Sequence, residues 1–172
     1  MRTFGTKVVE DDVTFDSKLE HKIYKHLKRF FAKDEIWVHY PFELSYKANV
    51  ESIVLPLELE NLEQSQQNIN YYSKLLKPVI WKVDFYIPTA GLFVEAKGRW
   101  MPVDRFKVLG LIPCLIATEN VFRVVSPNKP SKSWFDENAE AYDDIFWSLK
   151  DFTKASDNSY DTEDFLVALG AL

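Results

Sequence analysis

Apolar residues recur at helical spacing through residues 16–32. Leu19, Ile23, Leu27 and the Phe30/Phe31 pair fall on one side, and Lys18, Lys22, Lys25, Lys28 and Arg29 on the other. Asp16 or Ser17 suits the start of this amphipathic helix, and Glu20 stands three residues after Ser17, at the capping-box position. An aromatic-rich strand is predicted over residues 36–46, broken by Pro41. Strand character returns over 79–87 and 92–97, which read as a hairpin turning at Gly91, and over 121–125, a short buried strand closed by Ser126-Pro127-Asn128. A second helix is expected to begin over 104–109 and to end near Gly110 or Pro113.

The pattern is weaker elsewhere. Residues 47–78 read as an insertion, with a short strand at 53–56, a helix or ordered segment over 57–72, and a polar, solvent-facing run at 61–70. Beyond Pro130 a helix is predicted over 137–152 and a shorter one over 162–169. The order helix, strand, insertion, strand, strand, helix, strand predicts an α/β fold, a small mixed sheet flanked by helices. It spans residues 1–133, and a C-terminal, helical, acidic and aromatic extension occupies 134–172.

Charge sharpens this division. The net charge is −5, but residues 1–133 carry a balance of +3 and residues 134–172 one of −8. The body is thus basic enough to meet a polyanion, and the acidic extension reads as a surface that docks on the body or on a protein partner. With 172 residues and 47% hydrophobic content the chain can bury a real core. The single Cys114 lies in an apolar run and reads as a buried thiol in a reducing compartment. No signal core or transmembrane stretch is seen, so a cytoplasmic protein with no membrane association is expected.

The chemistry gathers on the hairpin. Glu95 and Lys97 are two apart on a strand and leave it on the same face, while Asp84 on the neighbouring strand can approach Glu95. Two converging carboxylates and the backbone carbonyl of Ala96 make a hard oxygen site suited to Mg²⁺, with Mn²⁺ able to substitute. Lys97 beside such an ion can orient or deprotonate a water and offset phosphate charge. Glu20 can turn from its helix toward the sheet as a further ligand, or can serve only as a capping-box residue. Glu-x-Lys alone would be an ordinary exposed strand; Asp84 at hairpin distance, with Gly98-x-Trp100 beyond, favours the metal site. Lys18, Lys22, Lys25 and Arg29 on the helix, with Arg99, Arg105 and Lys107 after the hairpin, are candidates for phosphate contact, against the alternative of a solvated helix face. His21, His26 and His39 have no metal-ligand spacing.

The arrangement of Asp84, Glu95-x-Lys97 and an upstream helical Glu20 resembles the PD-(D/E)xK nuclease superfamily, with Val83 standing where the superfamily name has proline. The segment Asp84-Phe85-x-x-Pro88-x-x-Gly91-x-Phe93-Val94-Glu95-x-Lys97-Gly98-x-Trp100 is similar to the phage T-seven endonuclease I family, resolvases of four-way DNA junctions. The resemblance implies a restriction-endonuclease-like core and a Mg²⁺-dependent endodeoxyribonuclease acting on branched DNA, encoded by a phage and working in the cytoplasm of a bacterial host. Its catalytic residues would be Glu20, Asp84, Glu95 and Lys97, and its metal ligands Asp84, Glu95, Ala96 and Glu20. Paired incisions on a junction suit a homodimer. The acidic extension departs from that family's basic C-terminal regions. Two other expectations stand beside this one: a nuclease subunit of a larger DNA-processing complex, similar to the TnsA-type transposition endonucleases, and a non-cleaving structural or regulatory protein on the same fold.

Overall fold

A computed structural model of the chain describes residues 6–44, 79–100, 120–130 and 144–172. The chain divides into two compact units, Met1–Tyr40 with Lys82–Leu172, and Pro41–Trp81. Of the second unit, the described residues are backbone at the end of one strand and the start of the next. The elements expected at 53–56, 57–72 and 104–109, and Cys114, Arg105 and Lys107, lie outside the described residues.

The first unit opens with a hairpin that the sequence pattern does not announce, β1 (Val8–Glu10) and β2 (Val13–Phe15), paired antiparallel. Asp11 and Asp12 close it with φ of 55° and 64°, the left-handed geometry that a two-residue turn requires. The amphipathic helix follows as α1 (Lys18–Leu27), capped by Ser17, whose Oγ accepts the Glu20 N–H at 3.1 Å. It ends sooner than its hydrophobic spacing suggests. The amides of Arg29 and Phe30 bond three residues back, to His26 and Leu27. This tightened turn buries Phe31 and stacks Phe30 on Phe165, with ring centroids 4.2 Å apart.

Five strands form the main sheet, in the order β3 (Trp37–Leu44), β4 (Val79–Ile87), β5 (Leu92–Ala96), β6 (Val121–Ser126) and β7 (Phe146–Ser148). Pro41 lies within β3 instead of ending it, which an edge strand tolerates because one row of its amides has no ladder partner. β4 and β5 form the expected antiparallel hairpin, turning through Pro88–Ala90 to Gly91 at φ 55°. A Cβ there would come within 3.0 Å of Asn120 Oδ1, so space and φ both call for glycine. β6 is parallel to β5, and β7 is parallel to β6. The described residues are thus a mixed α/β arrangement of this sheet with three helices.

Of the helix expected over 137–152, residues 137–143 lie outside the described residues, and the remainder is not one continuous helix. Residues 146–148 are strand β7, and helix begins afresh at α2 (Leu149–Asn158), followed by α3 (Thr162–Ala168). Phe146 is buried beside Val124 at the sheet edge, where a strand satisfies backbone groups of β6 that a helix would leave unpaired. Phe152, Phe165, Leu166 and Leu169 then join Phe15, Ile23, Tyr24, Leu27, Phe85, Ile87, Leu92 and Val94 in one core. Arg123 on β6 is buried and donates to the carbonyls of Leu169 (2.7 Å), Phe122 (3.0 Å) and Gly170 (3.1 Å), tying the end of α3 to the sheet. Among the described residues, no helix is long and apolar enough to cross a membrane.

Candidate metal centre

The strand register places the two hairpin carboxylates. Phe85 faces Val94, so Asp84 and Glu95 are the next facing pair. Val83, Phe85 and Ile87 are buried, and the alternation of β4 sends Asp84 and Tyr86 to the opposite side. Tyr86 stacks there on Phe93 at 4.1 Å. Asp84 accepts the Ala96 N–H at 2.7 Å through Oδ2, and its own N–H donates to Glu95 Oε2 at 3.3 Å. Lys97 Nζ lies 2.9 Å from Glu95 Oε1, and the backbone of Lys97 is fixed by donating to Val125 O at 2.9 Å. Glu95 is only 3% exposed, so its charge sits deep and is met by Lys97.

Glu20 reaches the same place from α1. Its Oε1 accepts the Ser17 hydroxyl at 2.7 Å and its Oε2 the Asp16 N–H at 2.9 Å. The capping and ligand readings of Glu20 therefore describe one carboxylate. Each of its oxygens keeps a lone pair after these bonds. Burial, then the charge of Glu95 and further that of Glu20, push the Asp84 carboxyl up to about 8, against the lowering effects of the Ala96 N–H and Lys97. Glu20, Asp84, Glu95, Lys97 and the Ala96 peptide are thus gathered at one point of the fold.

His39 joins them. Glu20, His39 and Asp84 each offer a ligand atom, all within 4.8 Å of one another, and His39 Nε2 is 3.6 Å from Glu20 Oε2. Sequence spacing gives no hint of this, and His39 has a left-handed φ of 54° that a regular strand would not predict. Trp37 and Tyr40, three apart, would leave an unbroken strand on opposite faces, yet both rings reach Tyr86, at 5.8 and 4.8 Å. The other two histidines are engaged elsewhere, His21 with Glu10 and His26 with the Ser156 hydroxyl.

The basic candidates separate. Lys18, Lys22, Lys25 and Arg99 are exposed. Arg29 is committed to α2, with Nη1 2.6 Å from Asp157 Oδ1 and 3.0 Å from Ser156 Oγ. Lys28 is drawn to Glu10 and Asp11 of the first hairpin, and it holds both carboxyls below their usual range.

No protein-family model, curated protein or solved structure matches the chain. The geometry alone therefore carries the chemical argument. Two carboxylates and an imidazole, those of Glu20, Asp84 and His39, can reach one point, and the Glu95 carboxylate lies against the Asp84 amide with Lys97 beside it. Such oxygen-rich sets suit Mg²⁺ or Mn²⁺ more than metals that favour thiolate.

Proposed function

We propose that the chain is a Mg²⁺- or Mn²⁺-dependent endodeoxyribonuclease on a restriction-endonuclease-like core, cutting branched DNA as a homodimer. One observation carries the reading: Glu20, Asp84 and Glu95 converge from α1, β4 and β5, and burial, added to by the charges of Glu95 and Glu20, lifts Asp84 to about 8. Carboxylates crowded in this way favour a cation among them. A bound divalent ion supplies Lewis-acid polarisation of a phosphodiester and acidifies water. Asp84, Glu95 and the Ala96 carbonyl would hold it, with Glu20 turned toward the same point. Lys97, held by Glu95, orients the attacking water and takes part in its deprotonation while offsetting charge on the phosphate. Lys18, Lys22, Lys25 and Arg99 contact the DNA backbone, a sequence-independent grip that fits recognition by shape.

The test is cleavage of a labelled four-way junction and a linear duplex in Mg²⁺ by wild type, Glu95→Ala and Lys97→Ala. Cutting of the junction is expected, with both variants slower by about a hundredfold or more. Equal cleavage by wild type and variants would remove the assignment of the site. Equal cutting of the two DNAs would remove the preference for branched substrate and leave the nuclease.

A further inference from the structure

We infer that His39 is a metal ligand, completing with Glu20 and Asp84 a nitrogen-containing cation site that prefers Mn²⁺ to Mg²⁺. The inference rests on the metal-dependent reading above and extends it to a residue on β3.

The distances suit a shared ion better than a direct contact. At 3.6 Å, His39 Nε2 and Glu20 Oε2 are too far apart for a good hydrogen bond. In an octahedral site with bonds of about 2.1 Å, ligand atoms lie about 3.0 Å apart when adjacent and about 4.2 Å apart when opposite. The three ligand atoms, all within 4.8 Å of one another, approach that span. Glu20 is already oriented by Ser17 and the Asp16 amide, the outer hydrogen bonding that ligating carboxylates characteristically have. The backbone of His39 departs from strand geometry at the residue that meets the carboxylates. Imidazole ligation favours first-row transition ions, whereas Mg²⁺ favours oxygen. A site containing His39 therefore discriminates between the two ions that an all-oxygen set would accept alike.

The experiment uses the full chain with Mn²⁺ alone, followed by electron spin resonance and spin-echo modulation, beside the His39→Asn variant. Asparagine tolerates the left-handed backbone at this position. The expected result is an imidazole-nitrogen coupling on bound Mn²⁺ in the wild type, lost in His39→Asn together with about a tenfold fall in Mn²⁺ affinity. The fall in Mg²⁺ affinity should be smaller. Mn²⁺ bound without nitrogen coupling, and with equal affinity in the variant, overturns the role of His39 and leaves the carboxylate site intact. No binding of either Mn²⁺ or Mg²⁺ by the wild type overturns the nuclease reading as well. Should His39→Asn fail to fold, His21→Asn and His26→Asn decide the matter, since the chain has 3 histidines. Retention of the coupling in both assigns it to His39, and its loss in either overturns the inference.

Discussion

The carboxylate of Glu20 accepts the Ser17 hydroxyl and the Asp16 amide and, behind burial and the charge of Glu95, adds to the rise in the Asp84 pKa, so helix capping and site geometry share one side chain. Ser17→Ala should therefore act twice. Loss of the cap is expected to cost about 1 kcal/mol of stability by urea denaturation. The same variant should bind Mn²⁺ more weakly in a titration, because Glu20 loses a bond that orients it. Asp84 gives a pH signature. Its carboxyl takes up a proton at about 8 in the fold and near 3.8 in the unfolded chain, so between these values the folded state binds more protons. The stability linked to that proton is complete below about pH 4 and is lost as pH rises through about 8. Urea midpoints measured in chelator should fall over this window, and Asp84→Asn should flatten the fall. Added Mn²⁺ should oppose it at the alkaline end, where the ion takes the place of the proton. Asp84, Glu95 and Lys97 were legible in the sequence because period-two alternation and a glycine turn fix their relative positions. His39 was not, since its left-handed φ is one that a regular strand would not predict.

The helix α1 and the β4–β5 hairpin follow from apolar spacing and from Gly91, and the structure contains both. β7 was hidden for a physical reason. It spans three residues, Phe146–Ser148, embedded in a run whose apolar positions also fit a helix, and its strand form is selected by the open edge of β6. Local propensity carries little information over so short a stretch. The first hairpin, with three residues in each strand, was hidden likewise. The helices after β7 belong to the core, with Phe152 and Phe165 fully buried and their rings 5.9 Å apart, edge to face. Phe152→Ala should destabilise the protein by about 3–5 kcal/mol in chemical denaturation. A loss below about 1 kcal/mol would mean that α2 is a peripheral addition.

Part of the acidic excess that sets residues 134–172 apart has a structural role. Asp151 accepts the Ser148 hydroxyl, Asp161 caps α3, and Asp157 pairs with Arg29, just beyond the end of α1. Residues 144–172 share one compact unit with the candidate metal centre. Truncation after Ser159, which removes α3, is expected to abolish cooperative unfolding, where loss of a peripheral segment would leave it unchanged. Circular dichroism and a thermal melt would show the difference. Arg123 explains why so short a helix matters. Its guanidinium is buried in the sheet, and the carbonyls of Leu169 and Gly170 are among its acceptors. Without them a charge is left in the interior with too few partners, at a cost of about 3 kcal/mol or more. During synthesis the ribosome adds Arg123 long before Leu169, 46 positions later. Until α3 has emerged, a nascent chain lacks two of the carbonyls that receive the Arg123 guanidinium. α3 is thus the element that completes the acceptor set of a guanidinium laid down much earlier in the chain.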